Sequence, residues 1–159
     1  MNVIEYEEKY SEDVKNLLVE LQEYISSLDK EGYNILTPDY RETAFNKTID
    51  EVSKYEGKIY LAEENNIITG LIVGLINNDE TSEYDFKAPK RGRISELIVS
   101  KKVRSQGTGK ALLETMENYF KSVGCKGVLL DVFAYNQNAT EFYIKQGYFN
   151  RCIEMMKLI

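Results

Sequence analysis

The chain has 159 residues and a mass of 18.4 kDa, enough for one hydrophobic core and too little for two ordinary domains, so residues 1–159 are expected to form a single domain. Hydrophobic residues at 43% and charged residues at 29% exclude bulk disorder, and the absence of His excludes the Ser-His-Asp triad, the Cys-His pair and most catalytic zinc sites. The net charge of −6 is unevenly spread: residues 1–90 carry 20 acids against 9 bases, and residues 91–159 carry 6 acids against 11 bases. A general nucleic-acid binder would not carry so acidic a half, whereas an anionic ligand held by the second half and a cationic partner near the first would suit it.

In chain order, residues 2–8 alternate weakly and predict an edge strand. Val14, Leu17, Leu18, Leu21, Ile25 and Leu28 form one apolar stripe of a first helix, with Ser11 as N-cap and Gly32 just past its end. A loop over 29–37 leads to Pro38 and Asp39, which open a second helix carrying Phe45, Ile49 and Val52 and ended by Gly57. Lys58 to Ala62 and Ile67 to Ile76 read as a β-hairpin joined by a Glu-Glu-Asn-Asn turn. Residues 77–90 are polar and contain Pro89, a long loop. Ile94 to Val99 is a short apolar strand. Leu112, Leu113, Met116, Phe120 and Val123 mark a third helix that ends near Gly124. Gly127 to Phe133 reads as a strand buried on both faces, Asn136 to Gln146 as a fourth helix, and the tail from Tyr148 to Ile159 as a final strand or strand pair. The order predicts one α/β domain, with antiparallel strands early and a βαβ-like unit late.

No apolar run reaches membrane-spanning length: the longest, Ile67 to Ile76, is broken by Thr69, Gly70 and Gly74. The N-terminus lacks the basic and apolar regions of a secretory signal. Cys125 and Cys152 lack the spacing of a metal knuckle and read as buried free thiols. A cytoplasmic protein with no metal, no membrane partner and no nucleic-acid partner is the expectation.

The chemistry-bearing segment follows the strand at Ile94–Val99. Arg104-Ser105-Gln106-Gly107-Thr108-Gly109 leads straight into an amphipathic helix. Glycines let a backbone approach a ligand closely, and a helix start offers unpaired N–H groups and a positive dipole end, which suits a phosphate. Lys101, Lys102, Arg104 and Lys110 add positive charge. A Walker A loop would need Gly where Arg104 stands and Ser or Thr where Ala111 stands, and a dinucleotide fingerprint would need a small residue at Leu112. Both fail. A second segment follows the strand at Val128–Phe133: Asn136, Ala139 three residues on, Phe142-Tyr143, then Gly147-Tyr148. Ala139, Phe142 and Tyr143 share one helical face, and Gly147 suits a left-handed helix end.

These two segments, in this order and with a strand between them, resemble the pyrophosphate-binding turn and the closing segment of the GNAT superfamily of N-acetyltransferases. The resemblance is detailed over Ile94 to Tyr148; residues 1–76 match as an element order only. It implies an α/β GNAT (acyl-CoA N-acyltransferase) fold, with a mixed central sheet of six to seven strands, four helices, and splayed central parallel strands at Ile94–Val99 and Val128–Phe133. It implies acetyl-CoA as co-substrate, with the backbone of Leu97, Ile98 and Val99 along the pantetheine arm. The diphosphate would lie in a cradle formed by Arg104, Ser105, Gln106, Gly107, Thr108, Gly109 and Lys110, and Asn136 and Ala139 would contact the pantetheine or adenosine portion. Tyr143 matches the position that often protonates the leaving thiolate. Glu96, the only acid between Asp85 and Glu114, matches a position that often serves as general base. The backbone N–H of Ile98 or Val99 would donate to the acetyl oxygen. Two departures are Ser105, where a glycine often follows the Arg, and Lys101, where a Pro is frequent. The implied reaction is acetyl transfer to a primary amine. The acidic residues Glu23, Asp29 and Glu31, and Asp79, Glu80, Glu83 and Asp85, favour a small cationic acceptor. A protein N-terminus or lysine, and a non-catalytic acyl-CoA sensor, are the alternatives. The apolar C-terminus Met155-Met156-Lys157-Leu158-Ile159 leads us to expect a homodimer paired through C-terminal strands.

Overall fold

The computed structural model describes residues 1–77, 88–103 and 107–159. Its sheet contains five strands in the order β1 (Asn2–Glu5), β2 (Lys58–Glu64), β3 (Ile67–Asn77), β4 (Arg91–Val99) and β5 (Val128–Leu129). Neighbours are antiparallel except β4 and β5, which run parallel. Four helices accompany the sheet: α1 (Ser11–Leu28), α2 (Tyr40–Lys54), α3 (Thr108–Ser122) and α4 (Gln137–Lys145). The expected helices and hairpin are all present, and β1 is the predicted edge strand.

The hairpin is tighter than its sequence suggests. Glu63 and Glu64 belong to β2, and only Asn65 and Asn66 turn the chain, at φ 52° and 62°. Asn tolerates left-handed backbone, and two such residues in succession match the twist of the flanking strands.

The sheet separates two apolar layers. On one face α1 and α2 bury Val14, Leu17, Leu18, Leu61, Val73 and Ile98. On the other α3 buries Leu112, Leu113, Met116 and Phe120 against Ala62, Ile72, Ile76 and Ile94. Alternation along each strand feeds both layers. At Gly74 and Gly92 an added Cβ would strike Met116 and Phe120, so these glycines let α3 lie directly on the sheet.

Three expectations need correction. The described sheet has five strands, not six or seven. The strand expected over Gly127–Phe133 contracts to Val128–Leu129, and residues 128–130 are half-buried rather than buried on both faces. The tail beyond Tyr148 forms no strand, and Phe149, Ile153, Met155, Met156, Leu158 and Ile159 are exposed. The causes are linked. A strand needs ladder partners on at least one side, and β5 meets β4 over two residues before they part. With no tail strand along its outer edge, β5 gains neither length nor cover. Of the long loop expected at 77–90, residues 78–87 lie outside the described residues, together with Asp79, Glu80, Glu83 and Asp85.

Candidate active site

The site begins where β4 and β5 separate. Gly92 faces Val128 and Arg93 faces Leu129, and the ladder then stops. Arg93 makes an ion pair with Asp131 just past this point. Ile94 to Val99 therefore has no strand partner on the β5 side among the described residues. Such an opening at the carboxyl end of parallel strands is a usual place for ligands in α/β folds.

A bulge in β4 decides which side chains line the opening. Gly74 of β3 pairs with Ile94, but the next residue, Val73, pairs with Glu96. Ser95 is the extra residue, and its hydroxyl donates to the Val73 carbonyl at 3.4 Å. Strict alternation would put Glu96 on the same face as Ile94, against α3. The insertion moves it to the opposite face with Ile98, toward α1 and α2. Burial pushes the Glu96 carboxyl up to about 7, with Lys47 drawing it down and Glu51 pushing it up. A carboxyl with that affinity is half ionised at neutral pH and can both take and release a proton.

Tyr143 approaches from the other arm. It sits in α4, half-buried, with its ring edge-on to Phe142 at 5.1 Å and to Tyr148 at 5.5 Å. Tyr148 is tied to α3 through a 2.9 Å hydrogen bond to Glu117. Burial first, and then the charge of Glu96, push the Tyr143 phenol up to about 12. It is therefore protonated across the physiological range. The charge of Glu96 reaches Tyr143 across the opening, so the splay brings together the two residues singled out for acid–base chemistry.

Along β4, Ser100 donates its N–H to Thr69 of β3 at 2.8 Å. Successive residues point their backbone groups to alternate sides. Ile98 therefore also bonds toward β3, while Leu97 and Val99 turn theirs toward the opening. The chain then passes through a short helical turn at Lys101–Val103, where the Lys101 N–H donates to Glu20 of α1 at 3.0 Å. Arg104, Ser105 and Gln106 lie outside the described residues. Gly107 follows with φ 85°, a left-handed value that costs other L-residues about 1–2 kcal/mol, and serves as the N-cap of α3. It has no side chain to cap the first turn, so the N–H groups of Thr108, Gly109 and Lys110 face outward with the positive helix end. Thr108 is buried at 4%, and Lys110 is exposed, 3.7 Å from Glu114. A Cβ on Gly109 would meet Phe142 and Val99 at 3.6 Å, ordinary contact distance, so the start of α3 packs beside α4 and the end of β4.

Asn136 has a role that its motif alone does not reveal. Its Oδ1 accepts the Ala139 N–H at 3.2 Å as the N-cap of α4, and also accepts the Tyr24 hydroxyl at 3.2 Å. The carbonyl end of the side chain is thus engaged by the protein. Tyr135 adds a second link across the same gap, donating to Glu31 at 3.2 Å with Lys30 above its ring at 4.4 Å. Asp29 accepts from the Glu31 and Asn34 N–H groups and from the Asn34 amide, which holds its carboxyl down at about 2. Of the acids first read as acceptor-binding, Asp29 is consumed by its own loop and Glu31 by Tyr135. Glu12 and Glu42 are similarly engaged by Arg41 and Lys15.

Sequence reasoning missed the face of α2 that looks onto Glu96, formed by Tyr40, Lys47 and Glu51. Their spacing of seven and then four residues, offset from the apolar stripe, was the available signal. Among the described residues no group of three or more His, Cys, Asp or Glu could hold a metal ion, and no helix is long and apolar enough to cross a membrane.

The pattern of the acetyltransferase (GNAT) family matches residues 21–148. An uncharacterized N-acetyltransferase, MJ1530 of Methanocaldococcus jannaschii, is 33% identical over 100 residues, which make up 62% of this chain and 57% of that protein. A mutant of the BH1408 protein of Bacillus halodurans shares the fold with a TM-score of 0.86 at 21% identity, covering 100% of this chain and 99% of its own. AAC(6')-Iy, in complex with the bisubstrate analogue CoA-S-monomethyl-acetylneamine, shares it with a TM-score of 0.71 at 13% identity, covering 99% and 98%. With the parallel strands parting after two paired residues and Gly107 opening α3, this chain belongs to the acetyltransferase (GNAT) family.

Proposed function

We propose that this chain, acting as one unit over residues 1–159, transfers the acetyl group of acetyl-CoA to a primary amine on a small cationic acceptor. One observation carries the reading: Glu96 and Tyr143 interact across the opening between β4 and β5, with their proton affinities set apart at about 7 and about 12. Leu97 and Val99 would run along the pantetheine arm, and the uncapped start of α3 from Gly107 to Lys110 would hold the diphosphate, with Arg104, Ser105 and Gln106 completing that turn. Ala139 and the amide nitrogen of Asn136 would border the rest of the cofactor. The fold accommodates such a pair of ligands in a relative, since AAC(6')-Iy holds an analogue that joins CoA to acetylneamine.

Glu96 accepts a proton from the amine as the nitrogen bonds to the thioester carbonyl carbon. A β4 backbone N–H, that of Ile98 or Val99, would donate to the carbonyl oxygen as negative charge develops there. The C–S bond then breaks with its electron pair on sulfur, and Tyr143 donates its hydroxyl proton to the thiolate. Glu96 loses its charge on accepting the first proton, which removes one of the two causes that hold the Tyr143 proton in place. Base and acid thereby act in sequence. Glu96 releases its proton to solvent, and Tyr143 regains one from solvent. The balance is amine plus acetyl-CoA to acetamide plus free CoA thiol.

Two further assignments accompany this reading. The exposed apolar tail, with Phe149 at 81% and Met155 at 90%, and the open outer edge of β5 support a homodimer. The free thiols of Cys125, which is buried as expected, and Cys152, which is exposed instead, suit a reducing, cytoplasmic setting. The test of the central proposal is an equilibrium titration with acetyl-CoA, followed by CoA release across polyamines, aminoglycosides, amino acids and peptides. Saturable binding with release dependent on one amine class is expected. Binding without release from any of them would leave a non-catalytic acyl-CoA sensor in its place.

A further inference from the structure

α2 carries two stripes. Ala44, Phe45, Ile49 and Val52 pack into the core beneath α1 and the sheet. Tyr40, Lys47 and Glu51 form the other: at 100° per residue they fall within about 40° of one another around the helix axis. The bulge at Ser95 turns Glu96 to the sheet face that α2 helps to cover, within reach of this second stripe. Lys47 and Glu51 each act on the Glu96 carboxyl, and Glu96 acts on the Tyr40 phenol. Lys47 and Glu51 make a loose pair at 3.8 Å, whereas the Tyr40 hydroxyl has no hydrogen-bond partner among the described residues. Tyr40 is half-buried at the first position of the helix, with its N–H held by the Thr37 carbonyl at 3.1 Å. A half-buried phenol beside a carboxylate, with no protein partner for its hydroxyl among the described residues, reaches solvent and can exchange water for a polar group of a ligand. Glu96 acts on the Tyr143 phenol as well.

We propose that Tyr40 is an acceptor-binding residue whose phenolic oxygen accepts one N–H of the incoming amine while Glu96 takes the other, so that acceptors enter between α2 and β4 and primary amines are selected over secondary ones. This rests on the acetyl-transfer reading. The argument is a count of hydrogens. A neutral primary amine has two N–H groups and one lone pair. With one N–H on Glu96 and one on Tyr40, the lone pair is left to point at the thioester carbon. An N-methyl amine has a single N–H, so it cannot satisfy both groups and must leave the phenol oxygen against a methyl group.

The test uses 1,4-diaminobutane, glycinamide and 2-phenylethylamine, each beside its N-methyl derivative, with CoA release as the readout and acetyl-CoA affinity measured separately. The wild type is expected to favour the primary member of each pair it accepts by at least about tenfold, the range of one hydrogen bond to a polar ligand. Tyr40→Phe should lower kcat/KM about tenfold for the primary amine, chiefly through KM, and less than twofold for the N-methyl amine, with acetyl-CoA affinity unchanged. Tyr40→Leu should lose the same discrimination, and Tyr55→Phe, at the far end of α2, should change neither value. Equal losses on both members of a pair, an unaltered preference, or weakened acetyl-CoA binding would each overturn the assignment of Tyr40 while leaving acetyl transfer standing. Absence of turnover by the wild type with every pair and with the aminoglycosides and peptides of the wider panel would overturn both.

Discussion

Glu96→Gln should make the protein more stable and less active, and the stability gain should depend on pH. In the unfolded chain this carboxyl ionises near 4.5, and in the folded protein near 7. Between those values the folded state holds a proton that the unfolded state has lost. Ionising Glu96 in its place therefore costs stability progressively as pH rises from about 4.5 to about 7, and the full cost applies above that range. Each pH unit is worth ~1.4 kcal/mol, which sets an upper value of about 3 kcal/mol; the solvent that still reaches the half-buried carboxyl reduces this to roughly 2 kcal/mol. The amide has no charge to bury and nearly the same shape. For a chain of this size the gain corresponds to about 4–8 °C in Tm at pH 8, shrinking toward zero near pH 4.5. Thermal melts of wild type and variant, followed by circular dichroism at pH 4.5, 6 and 8, measure this directly. The kinetic counterpart is a rise of wild-type kcat/KM with pH up to about 7, absent in the variant, whose residual rate should recover partly at high pH where free amine is abundant. A Tm difference that is the same at all three pH values would refute the claim that burial disfavours the ionised carboxylate at this position.

Three other outcomes follow from the site. Tyr143→Phe should leave folding and acetyl-CoA affinity almost unchanged and lower kcat by roughly 10²–10⁴, with a smaller loss when a better leaving thiol replaces CoA; an intact kcat would assign the proton donation to water. Gly109→Glu should fold, because the added Cβ finds ordinary contact distances and an acid suits a helix start, yet abolish acetyl-CoA binding by placing negative charge where the diphosphate would lie; unchanged affinity in titration would sink that site. Asn136→Ala should cost about 1 kcal/mol in chemical denaturation through loss of the α4 cap; an unchanged denaturation midpoint would contradict the capping role of its Oδ1.

Much of this protein is legible in its sequence because the signals are local. The Asn65-Asn66 pair dictates a tight hairpin through its own φ preference, and Gly107 marks a left-handed entry to α3 for the same reason. The apolar periods of α1, α3 and α4 place Leu17, Met116 and Phe142 inward within a turn or two of their neighbours. The order of the glycine turn and the Asn136-to-Tyr148 segment pointed to a family, and Glu96 stood out as an isolated acid. The face that Glu96 occupies is another matter. It depends on one extra residue, Ser95, and that insertion exists only relative to the register of β3, which lies some twenty residues earlier in the chain. Likewise Asn136 spends its carbonyl on Tyr24, a partner 112 residues away, and Asp29 closes its own loop where composition suggested an acceptor site. The tail shows the same limit from the other side: its apolar, β-prone residues favour a strand, but a strand forms only where an edge is offered and paired. Local dihedral preference and periodicity act within a few residues. Strand register, burial of charge and side-chain pairing are settled between distant segments, and they alone bring Glu96 within electrostatic reach of Tyr143 and Tyr40.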